Sequence, residues 1–170
     1  MTAVLRLIPP DAERYVRLRR RMLLDSPWAY SASPEDDFAL DLDRVRALFA
    51  DERAATFAIE APGLPADLVA TASIRRETRA KFSHRALVWG VFVAPEHRGR
   101  GWGRAAVTAA LDVARAWAGV DYVDLAVSEN APAAQRLYES LGFKAWGREP
   151  ESTELEGRRY DEIYMTLRLP

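Results

Sequence analysis

An apolar run rich in β-formers, Leu87–Val93, leads through Pro95-Glu96-His97-Arg98-Gly99-Arg100-Gly101-Trp102-Gly103-Arg104 into the helical pattern of Trp102–Ala118. This junction constrains the fold more than any other stretch. A continuously apolar strand has both faces covered, so it lies inside a sheet. The helix after it carries Val107, Leu111, Ala114 and Trp117 on its inner side, and Gly119 is placed to end it. Tyr122–Val127 then reads as a second strand. Leu87 to Val127 is therefore a βαβ crossover within a mixed sheet.

The rest of the chain supplies further layers. Val4–Ile8 reads as a short strand stopped by Pro9 and Pro10. Asp11–Leu24 is a helix with Tyr15, Leu18 and Met22 on one face, and Arg17, Arg19, Arg20 and Arg21 form a solvated remainder. Ser33-Pro34-Glu35-Asp36 has the composition of a helix start, continued by Leu42, Val45, Leu48 and Phe49. Ala54–Glu60 and Leu68–Ile74 are strands around a Pro62–Pro65 turn, and Arg75–Ser83 is a polar hairpin loop. Pro132–Leu141 is a short helix ended by Gly142. Phe143–Trp146 and Tyr160–Leu169 are closing strands, joined by the polar segment Arg148–Arg159. The order β-α-α-β-β-β-α-β-α-β-β, in 170 residues without repeat or linker, predicts a single α/β domain spanning residues 1–170.

Composition removes several function classes. With 24 basic against 25 acidic residues, bulk charge draws the chain to neither nucleic acid nor a membrane. The absence of cysteine rules out disulfides, thiolate metal sites and a cysteine acyl-enzyme. The two histidines, His84 and His97, have no metal-ligand spacing, so no metal site is expected. Residues 1–10 do not read as a signal peptide, and no stretch approaches the roughly 18 apolar residues of a membrane span. A cytoplasmic location fits this pattern.

The glycine loop points to phosphate. Gly99, Gly101 and Gly103 let the backbone turn tightly and approach a ligand, and the following helix directs unpaired amides at the same place. Arg98, Arg100 and Arg104 can each fork onto phosphate oxygens. A P-loop is excluded because no lysine follows, and a dinucleotide fingerprint fits poorly because the sixth position counted from Gly99 is Arg104.

Arg98-x-x-Gly101-x-Gly103 after Val91-Phe92-Val93-Ala94-Pro95 resembles motif A of the GCN5-related N-acetyltransferase superfamily. Ala131 to Phe143 (APAAQRLYESLGF) looks like the helix and turn N-x-x-A-x-x-L-Y-x-x-x-G-F of the same superfamily. The resemblance implies a mixed, mostly antiparallel twisted sheet with helices on both faces and a splayed parallel pair. A V would open between Leu87–Val93 and Tyr122–Val127. Acetyl-CoA is the implied co-substrate. Its pantetheine arm would pair with the backbone of Val91, Phe92 and Val93, and its pyrophosphate would lie on Arg98, Gly99, Arg100, Gly101, Trp102, Gly103 and Arg104.

The same resemblance makes Tyr138 the general acid that protonates the departing thiolate, in a direct attack by an amine. The asparagine that usually contacts CoA falls on Ala131. Asn130, one residue early, is therefore either a CoA contact or a helix cap. No general base is evident: Ala126 stands where some relatives have glutamate, and Glu129, Glu77 and His84 read as surface residues. His97 reads as structural or phosphate-facing. Gly90 either kinks the strand near the acyl group or is an ordinary packing glycine.

The acceptor would lie between Asp25–Leu40 and Arg148–Tyr160. Trp28 and Tyr30 offer aromatic surface there, and Glu35, Asp36 and Asp37 offer negative charge. Trp146, Tyr160 and Tyr164 either line the site or pack the sheet. A small-molecule amine is the favoured acceptor. The alternatives are protein N-terminal or lysine acetylation, a non-catalytic acyl-CoA-binding regulatory module, and, more remotely, a Rossmann-type oxidoreductase. Ile163, Met165 and Leu167 offer either a homodimer surface or core.

Overall fold

A computed structural model describes residues 3–170. Seven strands form one mixed sheet in the order β1-β2-β3-β4-β5-β7-β6. The strands are β1 Val4–Arg6, β2 Ala54–Ala61, β3 Leu64–Arg76, β4 Arg85–Val93, β5 Tyr122–Ser128, β6 Lys144–Leu155 and β7 Arg158–Arg168. The helices are α1 Ala12–Asp25, α2 Leu42–Ala50, α3 Trp102–Ala116 and α4 Pro132–Ser140. Every neighbouring pair is antiparallel except β4 with β5. No helix among the described residues is long and apolar enough to cross a membrane.

Two apolar clusters hold the layers together. α3 packs Val107, Ala110, Leu111 and Ala114 with Ile74, Ala86, Val88, Val123, Leu125 and Met165. Tyr15, Leu18, Met22, Val45 and Phe49 of α1 and α2 pack with Leu7, Ile59 and Phe92. Ile163 and Leu167 pack against the first cluster, and Met165 is buried in it. Met165 is therefore core, while Ile163 and Leu167 are partly buried against it.

Three segments differ from their sequence reading. Residues 33–36 form a turn, in which Asp36 reaches back to the Ser33 amide at 2.6 Å. The second helix starts at Leu42, where Asp41 accepts from the amides of Asp43 and Arg44 at 3.0 and 3.3 Å. The polar stretch Arg148–Arg159 is strand, not loop. β6 and β7 run as a long hairpin closed by the two-residue turn Glu156-Gly157, both residues with positive φ (51° and 77°), as a type I′ turn requires. Its polarity reflects its place at the sheet edge, where charged pairs such as Arg159–Glu154 (3.0 Å) line up across the strands.

The third difference is Arg19, read as part of a solvated face. It lies on the same stripe as Tyr15 and Met22, and is buried.

Candidate active site

The parallel pair is short. β4 and β5 are joined only at Arg85–Tyr122, Ala86–Val123 and Leu87–Asp124. Beyond that the strands diverge, so the expected V is present. At its root Arg85 forks onto Asp124 with two contacts of 2.6 Å, and Thr166 of β7 donates to the same carboxylate at 2.8 Å.

An irregularity in β4 shapes the free side of the V. Ser73 and Thr71 of β3 face Trp89 and Phe92 of β4, so β4 carries one extra residue there. Gly90 sits in the extra position with φ +60°, which settles its two sequence readings in favour of a bulge. Val88 and Phe92 would share a face in an unbroken strand, yet they lie in different cores.

The ladder also orients the backbone. Ala94 donates to Val69, and by antiparallel alternation Val91 and Val93 then turn their backbone groups away from β3, toward the V. The Val91 carbonyl accepts from the Tyr30 phenol at 2.8 Å and the Val93 carbonyl from Arg98 Nε at 3.0 Å. Phe92 turns its side chain into the core.

A cavity of about 900 Å³ fills the V. It gathers Val91, Phe92, Val93, Arg98, Gly99, Gly101, Trp102, Gly103, Arg104, Asn130 and Tyr138 from the sequence reading. Arg100 is not among its lining residues; its guanidinium lies 5.6 Å from the Trp102 ring centre.

The loop has the properties a diphosphate needs. Gly101 precedes α3 in a left-handed conformation (φ +78°), with open space where a Cβ would project and no side chain capping the helix. The first helical bond runs from Ala105 to Gly101, which leaves the amides of Trp102, Gly103 and Arg104 free of helical partners. His97 stacks on Trp102 at 5.0 Å, and its Nδ1 is buried without a partner. Two expected phosphate ligands are otherwise engaged. Arg98 pairs with Asp25 at 2.6 Å, and Arg104 donates to Ser140.

Tyr138 is 6% exposed and packs edge-on against Phe143. Its hydroxyl has no hydrogen-bond partner among the described residues, and burial pushes the phenol well above its ordinary value. It therefore keeps its proton at neutral pH. Asn130 lines the cavity without capping α4, whose N-cap Ala131 receives no side-chain bond.

The acceptor side departs further from expectation. Asp36 bonds its own turn and Asp37 is buried against Arg19. Neither these nor Glu35 lines the cavity. Tyr160 is buried, Tyr164 bonds Glu149 at 2.5 Å, and Trp146 is exposed beside Tyr164. Trp28 and Tyr30 do line it. Glu129 is consumed by Arg148 at 2.7 Å and the Asp161 amide at 3.1 Å. Sequence reasoning missed Glu162, the one carboxylate among the cavity-lining residues, which stands opposite Ser128 in the β5–β7 register. No local motif marks it; only strand pairing brings it there.

Comparison with known proteins agrees with this geometry. The model of the acetyltransferase (GNAT) family matches residues 17–143. A spermidine N(1)-acetyltransferase of Vibrio cholerae is 32% identical over 80 residues, 47% of this chain and 46% of that protein. A mycothiol acetyltransferase of Thermobispora bispora is 52% identical over 59 residues, 35% of this chain and 20% of that protein. The chain thus spans less than half the length of either relative. Among solved structures, a GNAT-family acetyltransferase from Streptococcus pneumoniae superposes with a TM-score of 0.86 at 18% identity, covering 99% of this chain and all of the other. YncA from Salmonella typhimurium, solved with its cofactor acetyl-CoA, gives 0.80 at 22% identity, covering 100% and 95%. At these identities the structural likeness speaks for the fold.

Proposed function

The chain belongs to the acetyltransferase (GNAT) family, and on that premise we propose that it transfers an acetyl group from acetyl-CoA to a primary amine of a small molecule. The observation that carries this reading is the V itself. One cavity joins uncapped helix amides, a stretch of β4 with no strand beside it and a buried phenol that keeps its proton.

Acetyl-CoA supplies the activated acyl group and a thiol leaving group. The amides of residues 102–104 hold its diphosphate, with Gly99 and Gly101 keeping that space clear, and the Nδ1 of His97 is a further partner at the same end. Val91 and Val93 offer their backbone groups to the pantetheine arm, and Asn130 lines its path.

Glu162 takes the amine's proton, directly or through water, so that the neutral nitrogen attacks the thioester carbonyl. As the new C–N bond forms and the C–S bond breaks, Tyr138 gives its proton to the leaving sulfur, the acylated nitrogen releases its extra proton to solvent, and Tyr138 recovers one from solvent. With no cysteine in the chain, this direct route needs no acyl-enzyme.

A small acceptor is favoured by the way the space beside the site is divided. The loop bearing Trp28, Tyr30, Ser31 and Ala32 divides the main cavity from a second of about 300 Å³ that reaches Ser152–Leu155. The two curated relatives are likewise named for small-molecule acceptors, spermidine and mycothiol.

Calorimetric titration with acetyl-CoA and, separately, NAD tests the reading. Micromolar binding of acetyl-CoA alone is expected, followed by thiol release with members of an amine panel. Turnover with peptides but no free amine would move the acceptor to protein. Binding without any turnover would make the chain a cofactor sensor, and no binding of acetyl-CoA would end the proposal.

A further inference from the structure

Beyond Leu87, β4 has no β5 neighbour, and three consecutive residues are held instead by the N-terminal segment. Trp89 lies edge-on to Phe38, with ring centres 5.6 Å apart. The Arg19 guanidinium carbon sits 5.4 Å from the Trp89 ring centre and 5.1 Å from that of Phe38. At Gly90, Nη1 of Arg19 lies 3.2 Å from where a Cβ would stand. At Val91 the carbonyl is held by Tyr30.

Arg19 is itself fixed. Its Nε lies 3.1 Å from both carboxylate oxygens of Asp37 and its Nη2 2.7 Å from one of them. Asp37 also accepts from the Ala39 amide at 3.0 Å, which locks it to the turn that carries Phe38. The two side chains are only 7% and 4% exposed, yet Arg19 lines the cavity. Burial works against its charge, and Asp37 outweighs that cost.

An ion pair this deep is an uneconomical way to fill a core, since apolar residues of equal volume serve as well. What they lack is a flat, rigid edge of N–H groups that fits under a left-handed glycine while its face meets two rings. The guanidinium meets that requirement at the place where β4 is bent and otherwise unsupported.

We infer that Arg19 is a positioning residue for acyl transfer. With Asp37 it holds the Gly90 bulge from the side on which the amine arrives, and so fixes the aim of the Val91 backbone at the thioester. The inference rests on the acetyltransferase reading above. It makes the acceptor-side segment a determinant of cofactor geometry, although Arg19 touches neither phosphate nor sulfur.

The test compares two probes on the whole protein, acetyl-CoA and adenosine 3′-phosphate 5′-diphosphate. The second lacks pantetheine and reaches only the glycine loop. The double variant Arg19→Met with Asp37→Asn removes both buried charges and keeps side-chain volume and the Ala39 bond. Arg19→Lys keeps the charge but loses the fork, and serves if the double variant melts early. A folded variant is expected to lose at least about tenfold in affinity for acetyl-CoA, the scale of a small misplacement, with nucleotide binding unchanged. Unchanged affinity for both probes overturns the inference, because the pair is then only core. Equal loss of both overturns it too, because the effect is then not at the bulge. If the native protein binds neither probe, the family reading fails for this chain and the inference falls with it.

Discussion

The two halves of the site are built in different currencies. The cofactor half, from β4 through the glycine loop to α3, uses main chain: uncapped amides, left-handed glycines and a strand edge turned away from its partner. The half proposed for the acceptor uses side chains from distant parts of the sequence: Arg19 and Tyr30 between β1 and β2, Glu162 near the chain's end. Main-chain sites tolerate no intrusion and depend little on the surrounding residue identities. Side-chain sites change by substitution while the fold stays the same.

The sharpest way to break this contrast is Gly101→Glu. The new side chain would be forced into a left-handed conformation and would bring negative charge into the phosphate cradle. Loss of measurable acetyl-CoA binding is expected in calorimetry; retained binding would show that the main chain is not the ligand. Next in size is Tyr138→Phe. Removing a general acid should lower kcat by about a hundredfold, with affinity for acetyl-CoA little changed; equal losses in both would make Tyr138 a binding residue. Because burial raises this phenol, the wild-type rate should show no falling limb from its ionisation at pH near 10, the ordinary tyrosine value. A limb there would mean that solvent reaches the ring.

Glu162→Gln probes the acceptor half. It should cut kcat/KM by roughly tenfold or more at neutral pH, while leaving acetyl-CoA binding intact. An unchanged kcat/KM would assign proton removal elsewhere. The smallest effect lies outside both halves. Glu156 occupies a left-handed position in the β6–β7 turn, so Glu156→Asn should stabilise the fold by about 0.5–1 kcal/mol. A rise of a few degrees in Tm, with kinetics unaltered, is the expected readout.

Legibility in the sequence followed the same division. Leu87–Phe143 could be read because its constraints are local: a buried strand needs an apolar run, a phosphate turn needs glycines, and the Leu137-Tyr138 helix carries its own spacing. Element order was readable throughout. Arg19 reads as surface although it shares a stripe with Tyr15 and Met22, because a charge on a helix looks solvated until its partner, eighteen residues away, is known. Asp37 looks solvated for the same reason. Glu162 could not be found from any window, since its place in the cavity depends on the β5–β7 register. The Arg148–Arg159 strands are hidden because edge strand β6 and the end of β7 that projects past β5 carry charge where a buried strand would carry valine.

The root of the V can be considered mechanically. A notch concentrates prying stress at its tip, and here the tip is riveted by Arg85, Asp124 and Thr166. A group wedged at the mouth works through the length of β4 and β5 as a lever on those three side chains. Their contacts therefore resist the two strands being pried further apart.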